Sequence, residues 1–356
     1  MIYYPSVTRV LPLTTIRRER TLPVAGEVLV NMGTRVDPMS IVAHAELPGR
    51  YYILNVAQAL RVSPEAADKY IRPKPGQPVE ARQVVAGRRV RLGMVPRVVR
   101  APQDGVVVAV GGGRVLLESA GEPVEVRAYL PGTVSDIQPK RGVTIETVGA
   151  WIQGVWGIGD ESFGVLKVLV DKPEQPLRAK SIDVTCHGAV LVGGLLQDRE
   201  TLQQALELQV RGVVAGSLDP TLIGMAREMP FPVITTEGIG RAPMAWPILQ
   251  LLRTNEGREA AISGRTQPRW GAIRPEVVIP LPAGRGSPPP PPGASLAVGV
   301  QVRVTRGPQM GAVGTVQHLP AHPLALETEA RVWGAVVAFE EDGEQFVPFL
   351  NLELLG

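Results

Sequence analysis

Residues 235–241, Thr235-Thr236-Glu237-Gly238-Ile239-Gly240-Arg241, hold the densest set of chemically useful side chains in the sequence. Two hydroxyls, a carboxylate, two glycines and an arginine stand together just ahead of a stretch with helical spacing. Hydroxyls donate to an anion, arginine neutralises it, and glycine lets backbone N–H groups come close to it. That is the chemistry of an anionic small-ligand site. Cys186-His187 is the one adjacent thiol and base. On a strand, neighbouring side chains point to opposite faces, so this pair is not expected to share a hydrogen bond. The four histidines are scattered, and neither a triad nor a zinc site assembles from them. No catalytic residue, metal or cofactor is expected.

The elements that would position 235–241 follow from a change of period after residue 187. Gly188-Ala189-Val190-Leu191-Val192-Gly193-Gly194 is an apolar run without alternation, as in a strand buried on both faces. A helix is expected from about Glu200 to Leu208, with Leu202, Ala205, Leu206 and Val210 on one face. Val213 to Gly216 repeats the strand, Asp219-Pro220 starts a second helix through Ala226, Val233 to Thr236 is a third strand, and Ala242 to Leu252 a third helix. This alternation predicts an open, parallel α/β sheet over 177–284, whose ligands would lie beyond the strand ends. Those ends are Gly193 and Gly194, Gly216 and Ser217, and Thr235, Thr236, Glu237, Gly238, Gly240 and Arg241. Gly238-Ile239-Gly240 runs on into Arg241-Ala242-Pro243, without the third glycine of a dinucleotide fingerprint, and Gly193-Gly194 lacks a phosphate-binding lysine. Tight strand-to-helix turns require the same glycines.

The first region, 1–172, reads as short β-type runs punctuated by glycine, and it repeats itself. Leu22 to Val30 leads to Ile41-Val42-Ala43; Pro75 to Val79 leads to Val84-Val85-Ala86 and then Ala101 to Val108; Leu130 to Val134 leads to Gly142-Val143-Thr144-Ile145. These strand pairs resemble the halves of biotinyl/lipoyl-like barrel-sandwich hybrids. The carrier role in that family needs a displayed lysine, commonly beside methionine. No Met-Lys or Lys-Met pair occurs, and Lys140 sits in a loop within one half, so the resemblance implies a structural platform without attached biotin or lipoate.

Charge is unevenly spread. Residues 1–100 hold fourteen Arg and two Lys against seven acids, a net of +9. Arg88, Arg89 and Arg91, with Arg97 and Arg100, fall on an expected strand pair where several guanidinium groups would share a face. Such a patch either protects a sheet edge or meets an anionic partner: RNA, DNA or the acidic end of the same chain. Tyr3-Tyr4 and Tyr51-Tyr52 are not interleaved with these arginines, which weakens the nucleic-acid reading.

Near the C-terminus, Val302, Val304, Gly307, Gly311, Gly314 and Val316 set three glycines between two alternating apolar runs. Gly307 and Gly311 are expected at φ > 0 on either side of a turn, and Gly314 at a close approach of two backbones. The spacing resembles the KOW motif of NusG-type transcription factors and some ribosomal proteins. Arg331 to Phe339 alternates as a third strand, Glu341-Asp342-Gly343 reads as a turn, and Gln345 to Phe349 as a fourth strand. The resemblance implies an SH3-like β-barrel over 296–356 that binds RNA or protein. Residues 294–356 carry three Arg against six Glu and one Asp, a net of −4, so protein is the expected partner and RNA binding is expected to be weak.

The run Ser287 to Gly293 is an extended proline-rich linker, placed at 285–295, which would decouple the C-terminal module from the body. No run of eighteen apolar residues suggests a membrane span, Met1 to Arg20 has no secretory core, and one cysteine fits a reducing cytoplasm. The chain is thus expected to be multi-domain α+β, with a barrel-sandwich-like platform, an α/β domain and a KOW-type barrel. The expected function is that of a non-catalytic adaptor in a transcription or translation complex. Two other readings stand beside it: an enzyme or sensor using the strand ends, and a structural subunit of a carrier-dependent or respiratory complex.

Overall fold

The computed structural model describes residues 3–88, 97–267, 273–282, 295–326, 328–340 and 342–355. Its centre is a twelve-stranded sheet. Four strands, Glu161–Val168, Ala189–Val192, Gly212–Leu218 and Val233–Ile239, run parallel in that spatial order. Beyond Glu161–Val168 the sheet continues antiparallel through Glu259–Ser263, Glu276–Pro280 and the long strand Gly142–Gln153. Gly142–Gln153 also pairs with Val10–Thr21.

Helices cover the parallel half as its apolar runs demand. Arg199–Glu207 buries Leu202 and Ala205 on one face, against Leu191, Val213 and Val233. Trp246–Thr254 buries Ile248, Leu249 and Leu252 on the other, against Val190, Val192, Val214 and Ile234. Along Ala189–Val192 successive residues enter opposite cores, which is why that strand has no polar position. The third helix starts four residues later than its apolar spacing suggests, because Ala245 is extended and Pro247 favours a first-turn position. Asp219 opens a 3₁₀ turn, Pro220–Leu222, before the helix Ile223–Glu228.

The large sheet crosses the expected boundary at 172. Glu161–Val168 pairs in parallel with Ala189–Val192 and so belongs to the α/β sheet, although its sequence looks like the β-rich region before it. In the first and third repeats of that region the successive strands pair, Glu27–Val28 with Ile41–Glu46 and Gly132–Gln138 with Gly142–Gln153; in the second they do not, since Pro78–Val79 pairs with Gly105–Gly111 and Val84–Arg88 with Arg97–Arg100. Residues 51–119 form a lobe with its own core of Val56, Leu60, Val85, Val107, Val115 and Leu117. They are inserted between Ile41–Glu46 and Pro123–Arg127, which pair with each other.

The C-terminal unit is a six-stranded sheet ordered Ser6–Thr8, Leu352–Leu355, Gln301–Val304, Val313–His318, Gly334–Phe339, Gly343–Pro348. Its first strand comes from the N-terminus and runs parallel to Leu352–Leu355. Among the described residues its two outer strands do not pair with each other. Gly307 and Gly311 have φ of 103° and 90°, and a Cβ on Gly314 would lie 2.5 Å from Ala338 O. Val302, Val304 and Val316 are buried in its core. Most of the proline-rich segment lies outside the described residues, but the units on either side of it are joined by other contacts.

Candidate functional site

Those contacts centre on Arg303. Val302, Arg303 and Val304 are all buried, so the strand is covered on both faces. One face packs into the core of the C-terminal unit. The other sets the Arg303 guanidinium over the end of Val233–Ile239. Its Nη1 donates to Thr236 O at 3.1 Å and to the Glu237 carboxylate at 2.9 and 3.0 Å. Its Nη2 donates to Glu353, which also accepts from the Thr8 hydroxyl and, at 3.2 Å, from Arg274 Nη1. Glu237 also accepts from Ala245 N at 3.1 Å, beside the start of the helix Trp246–Thr254. Thr8, Glu237, Arg274, Arg303 and Glu353, far apart in sequence, therefore meet in one network of two arginines and two carboxylates, of which Arg303 and both carboxylates are buried and Arg274 is 31% exposed.

Burial works against the charge of Arg303, but Glu237 and Glu353 together raise its pKa. The two carboxylates respond in opposite directions. Burial pushes Glu237 up, outweighing Arg303 and the Ala245 N–H. Burial acts the same way on Glu353, yet Arg303, the Thr8 hydroxyl and Arg274 bring it below its usual range. The lowered carboxyl stabilises the fold above its unfolded pKa, and that stability is lost as pH falls through the folded value. The raised one has the opposite sign, since the folded chain holds its proton more tightly. Acid sensitivity of this junction thus belongs to Glu353. The stability gap between the native chain and Glu353→Gln is expected to be full at neutral pH and to shrink as pH falls below about 4, the ordinary carboxylate range. Urea melts across pH check this, and a gap constant down to the acid limit of folding contradicts it.

Above the network lies a cleft of about 550 Å³, lined by Ser6, Val155, Ala242, Arg274, Thr305, Arg306, Met310 and Leu350 around the buried pairs. Arg306 is exposed and makes no ion pair among the described residues. Val155, Met310 and Leu350 are 43%, 46% and 80% exposed. The cleft therefore combines a charge-neutral floor with an apolar rim and one free cation.

The residues expected to bind a ligand at the strand ends are mostly used in packing. A Cβ on Gly194 would lie 2.1 Å from Pro173 O, one on Gly193 would meet Leu177, and one on Gly216 would lie 2.3 Å from Met244 N. Gly216 N donates to Gly194 O at 2.7 Å and Gly240 N to Leu218 O at 2.9 Å. The Thr235 hydroxyl donates to Trp156 O at 3.1 Å, and Ser217 Oγ is buried without a partner among the described residues. Gly238 and Gly240 take φ of 98° and 135°. Arg241 is exposed; it adds to the Thr221 hydroxyl and N–H bonds that hold the Asp219 carboxyl low. Of the expected set, Glu237 and Thr236 alone enter the Arg303 network.

Arg88 lies directly across from Arg97, while Arg100, three positions further along the strand, falls on the opposite face and donates to Arg82 O at 2.8 Å. The expected single basic face is therefore divided; Arg89 and Arg91 lie outside the described residues. Cys186 is buried in a 3₁₀ turn, Val184–Cys186, rather than on a strand, and His187 Nδ1 lies 3.2 Å from Leu208 O. Among the described residues no group of three or more His, Cys, Asp or Glu could hold a metal, and no helix is long and apolar enough to cross a membrane.

Sequence reasoning missed Arg303, Glu353, Thr8 and Arg274. Arg303 and Glu353 count toward the −4 of the C-terminal segment as though they faced solvent, whereas their side chains are 2% and 5% exposed. An arginine between two valines and a glutamate among leucines were the available signals. No protein-family model and no curated protein matches the chain.

Proposed function

We propose that the chain is a non-catalytic adaptor of a larger cytoplasmic assembly, of the transcription or translation machinery, with the C-terminal unit as its contact surface. The observation that carries this reading is the Arg303 network. It commits the buried Arg303, Glu237 and Glu353 to holding two units together, in the place where an α/β sheet would keep reacting groups. Beside it, around the exposed Arg306, the cleft carries apolar side chains at the surface: Leu350 at 80%, Met310 at 46% and Val155 at 43% exposure. Exposed apolar side chains grouped around a cleft suit a protein partner. The glycine geometry at 307, 311 and 314 is compatible with the KOW resemblance, and the acidic balance of the segment disfavours a phosphate backbone.

Affinity capture from the native organism, with and without nuclease, tests this. Partners are expected to stay bound after nuclease treatment and to be lost from Leu350→Asp, a change at an exposed position that leaves the fold intact. Release by nuclease, or full retention by Leu350→Asp, counts against the reading. Residual RNA binding is expected to be weak and steeply salt-dependent.

A further inference from the structure

The lobe 51–119 contains a four-stranded sheet ordered Tyr51–Asn55, Arg114–Ser119, Gly105–Gly111, Pro78–Val79. Its inner face buries Val107, Val115 and Leu117, with Tyr52 and Leu54 packed against them. Tyr51–Asn55 is an outer strand, and among the described residues it pairs on one side only. Ser119 N donates to Arg50 O at 2.9 Å, which marks Arg50 and Ser119 as a hydrogen-bonded pair. Such pairs alternate along an antiparallel ladder, so Tyr52 and Leu54 also turn their backbone groups inward. Tyr51 and Ile53 turn theirs to the open edge.

Outer strands are ordinarily blunted by a charge, a proline, a bulge or a cover. Tyr51-Tyr52-Ile53-Leu54-Asn55 has no charge and no proline, and its register with Arg114–Ser119 is unbroken. Of the residues with outward backbone groups, Tyr51, Ile53 and Asn55, the two large apolar-bodied ones are strongly exposed, Tyr51 at 62% and Ile53 at 67%. Across the outer face Ile53 stands beside Leu116, and Val106 is 44% exposed. Directional backbone valences and apolar surface therefore coincide on one strand.

We propose that this edge pairs with the same edge of a second copy of the chain, antiparallel and two-fold symmetric about Ile53. The register follows from the ladder. Ile53 faces Ile53 of the second copy and Tyr51 faces its Asn55, so outward-directed backbone groups meet each other and exposed side chains keep one face. Charge favours this orientation, though only across about three strand spacings. On the neighbouring strand Glu118 lies beside Tyr51 and Arg114 beside Asn55. The two-fold aligns the Glu118 end of one sheet with the Arg114 end of the other, whereas parallel pairing would set like charges in line. The product is one sheet continuous across two copies, with Leu116 and Ile53 of both in a single apolar row.

Light scattering of the full chain and thiol cross-linking test the proposal together. The native chain is expected at twice its single-copy mass. Ile53→Cys is expected to form a disulfide-linked dimer under mild oxidation, because facing Cα atoms in a hydrogen-bonded antiparallel pair are about 5.5 Å apart, within disulfide range. The native thiol, Cys186, is buried and does not compete. Tyr51→Cys alone is expected to form no disulfide link between copies, since its position faces Asn55. Ile53→Lys places two ammonium groups at the axis and is expected to give the single-copy mass with an unchanged circular dichroism spectrum. A native chain of single-copy mass, failure of Ile53→Cys to cross-link, cross-linking by Tyr51→Cys alone, or a dimer that survives Ile53→Lys would each overturn the proposal. A strand from a different protein on this edge would appear as the first of these.

Discussion

Replacing Arg303 by Met is expected to cost about 3–5 kcal/mol of stability, the range found when one partner of a buried ion pair is removed. The size comes from what stays behind. Glu237 and Glu353 would remain 5% exposed with no cation between them, although Arg274 would still reach Glu353. Thr236 O would lose its donor as well. The alternative, that the loss reflects packing of the arginine stem, is separated by a triple variant. Arg303→Met with Glu237→Gln and Glu353→Gln removes both stranded charges and keeps acceptors for Ala245 N and the Thr8 hydroxyl. It is expected to recover more than half of the loss. Because the network joins the C-terminal sheet to the strand ends, Arg303→Met should also split one thermal transition into two, with the C-terminal sheet melting first. A cost under about 1 kcal/mol, the scale of an exposed pair, would show that the network is solvated in solution.

Much of the α/β half was legible because its signal is local. A strand buried on both faces has no polar position, and Ala189–Val192 shows this directly. Glycines at 307, 311 and 314 were legible for the same reason: a turn or a close approach constrains the residue that occupies it. The candidate site was not, since its residues come from 8, 237, 274, 303 and 353, and no period in a sequence reports a pairing across 345 positions. Alternation also misplaced Arg303. It assigns every second residue of a strand to solvent, and here the solvent face is covered by another unit. The boundary expected at 172 failed in a related way. Glu161–Val168 lies between a parallel and an antiparallel neighbour, and its mixed burial gives it the look of an ordinary half-exposed strand.

The N-terminal segment links the two halves of the molecule, since Ser6–Thr8 belongs to the C-terminal sheet and Val10–Thr21 to the large one. Glu276 holds the second of these in place. It accepts from Arg18 Nε at 2.8 Å, from Trp151 Nε1 at 2.8 Å and from the Tyr129 hydroxyl at 3.3 Å. The Arg18 guanidinium also lies 4.7 Å from the Trp151 ring centroid, so the cation is held between a carboxylate and an aromatic face. Burial, with the charge of Glu276, pushes the Tyr129 hydroxyl well above its usual pKa, which keeps it a neutral donor. Glu276→Leu would leave a guanidinium without its counter-charge and two buried donors without an acceptor. The expected cost is about 3–5 kcal/mol. Glu276→Gln keeps an acceptor and loses the charge, so it should cost less, about 1.5–3 kcal/mol, the worth of a hydrogen bond to a charged group. Denaturant melts order the three proteins, and hydrogen exchange should show the added opening concentrated in Val10–Thr21 and carried to Ser6–Thr8. Equal costs for the two variants would mean that the lost charge carries the whole effect and that a neutral acceptor at this position contributes nothing. Protection of Ser6–Thr8 unchanged in Glu276→Leu would mean that the segment is held at each sheet independently.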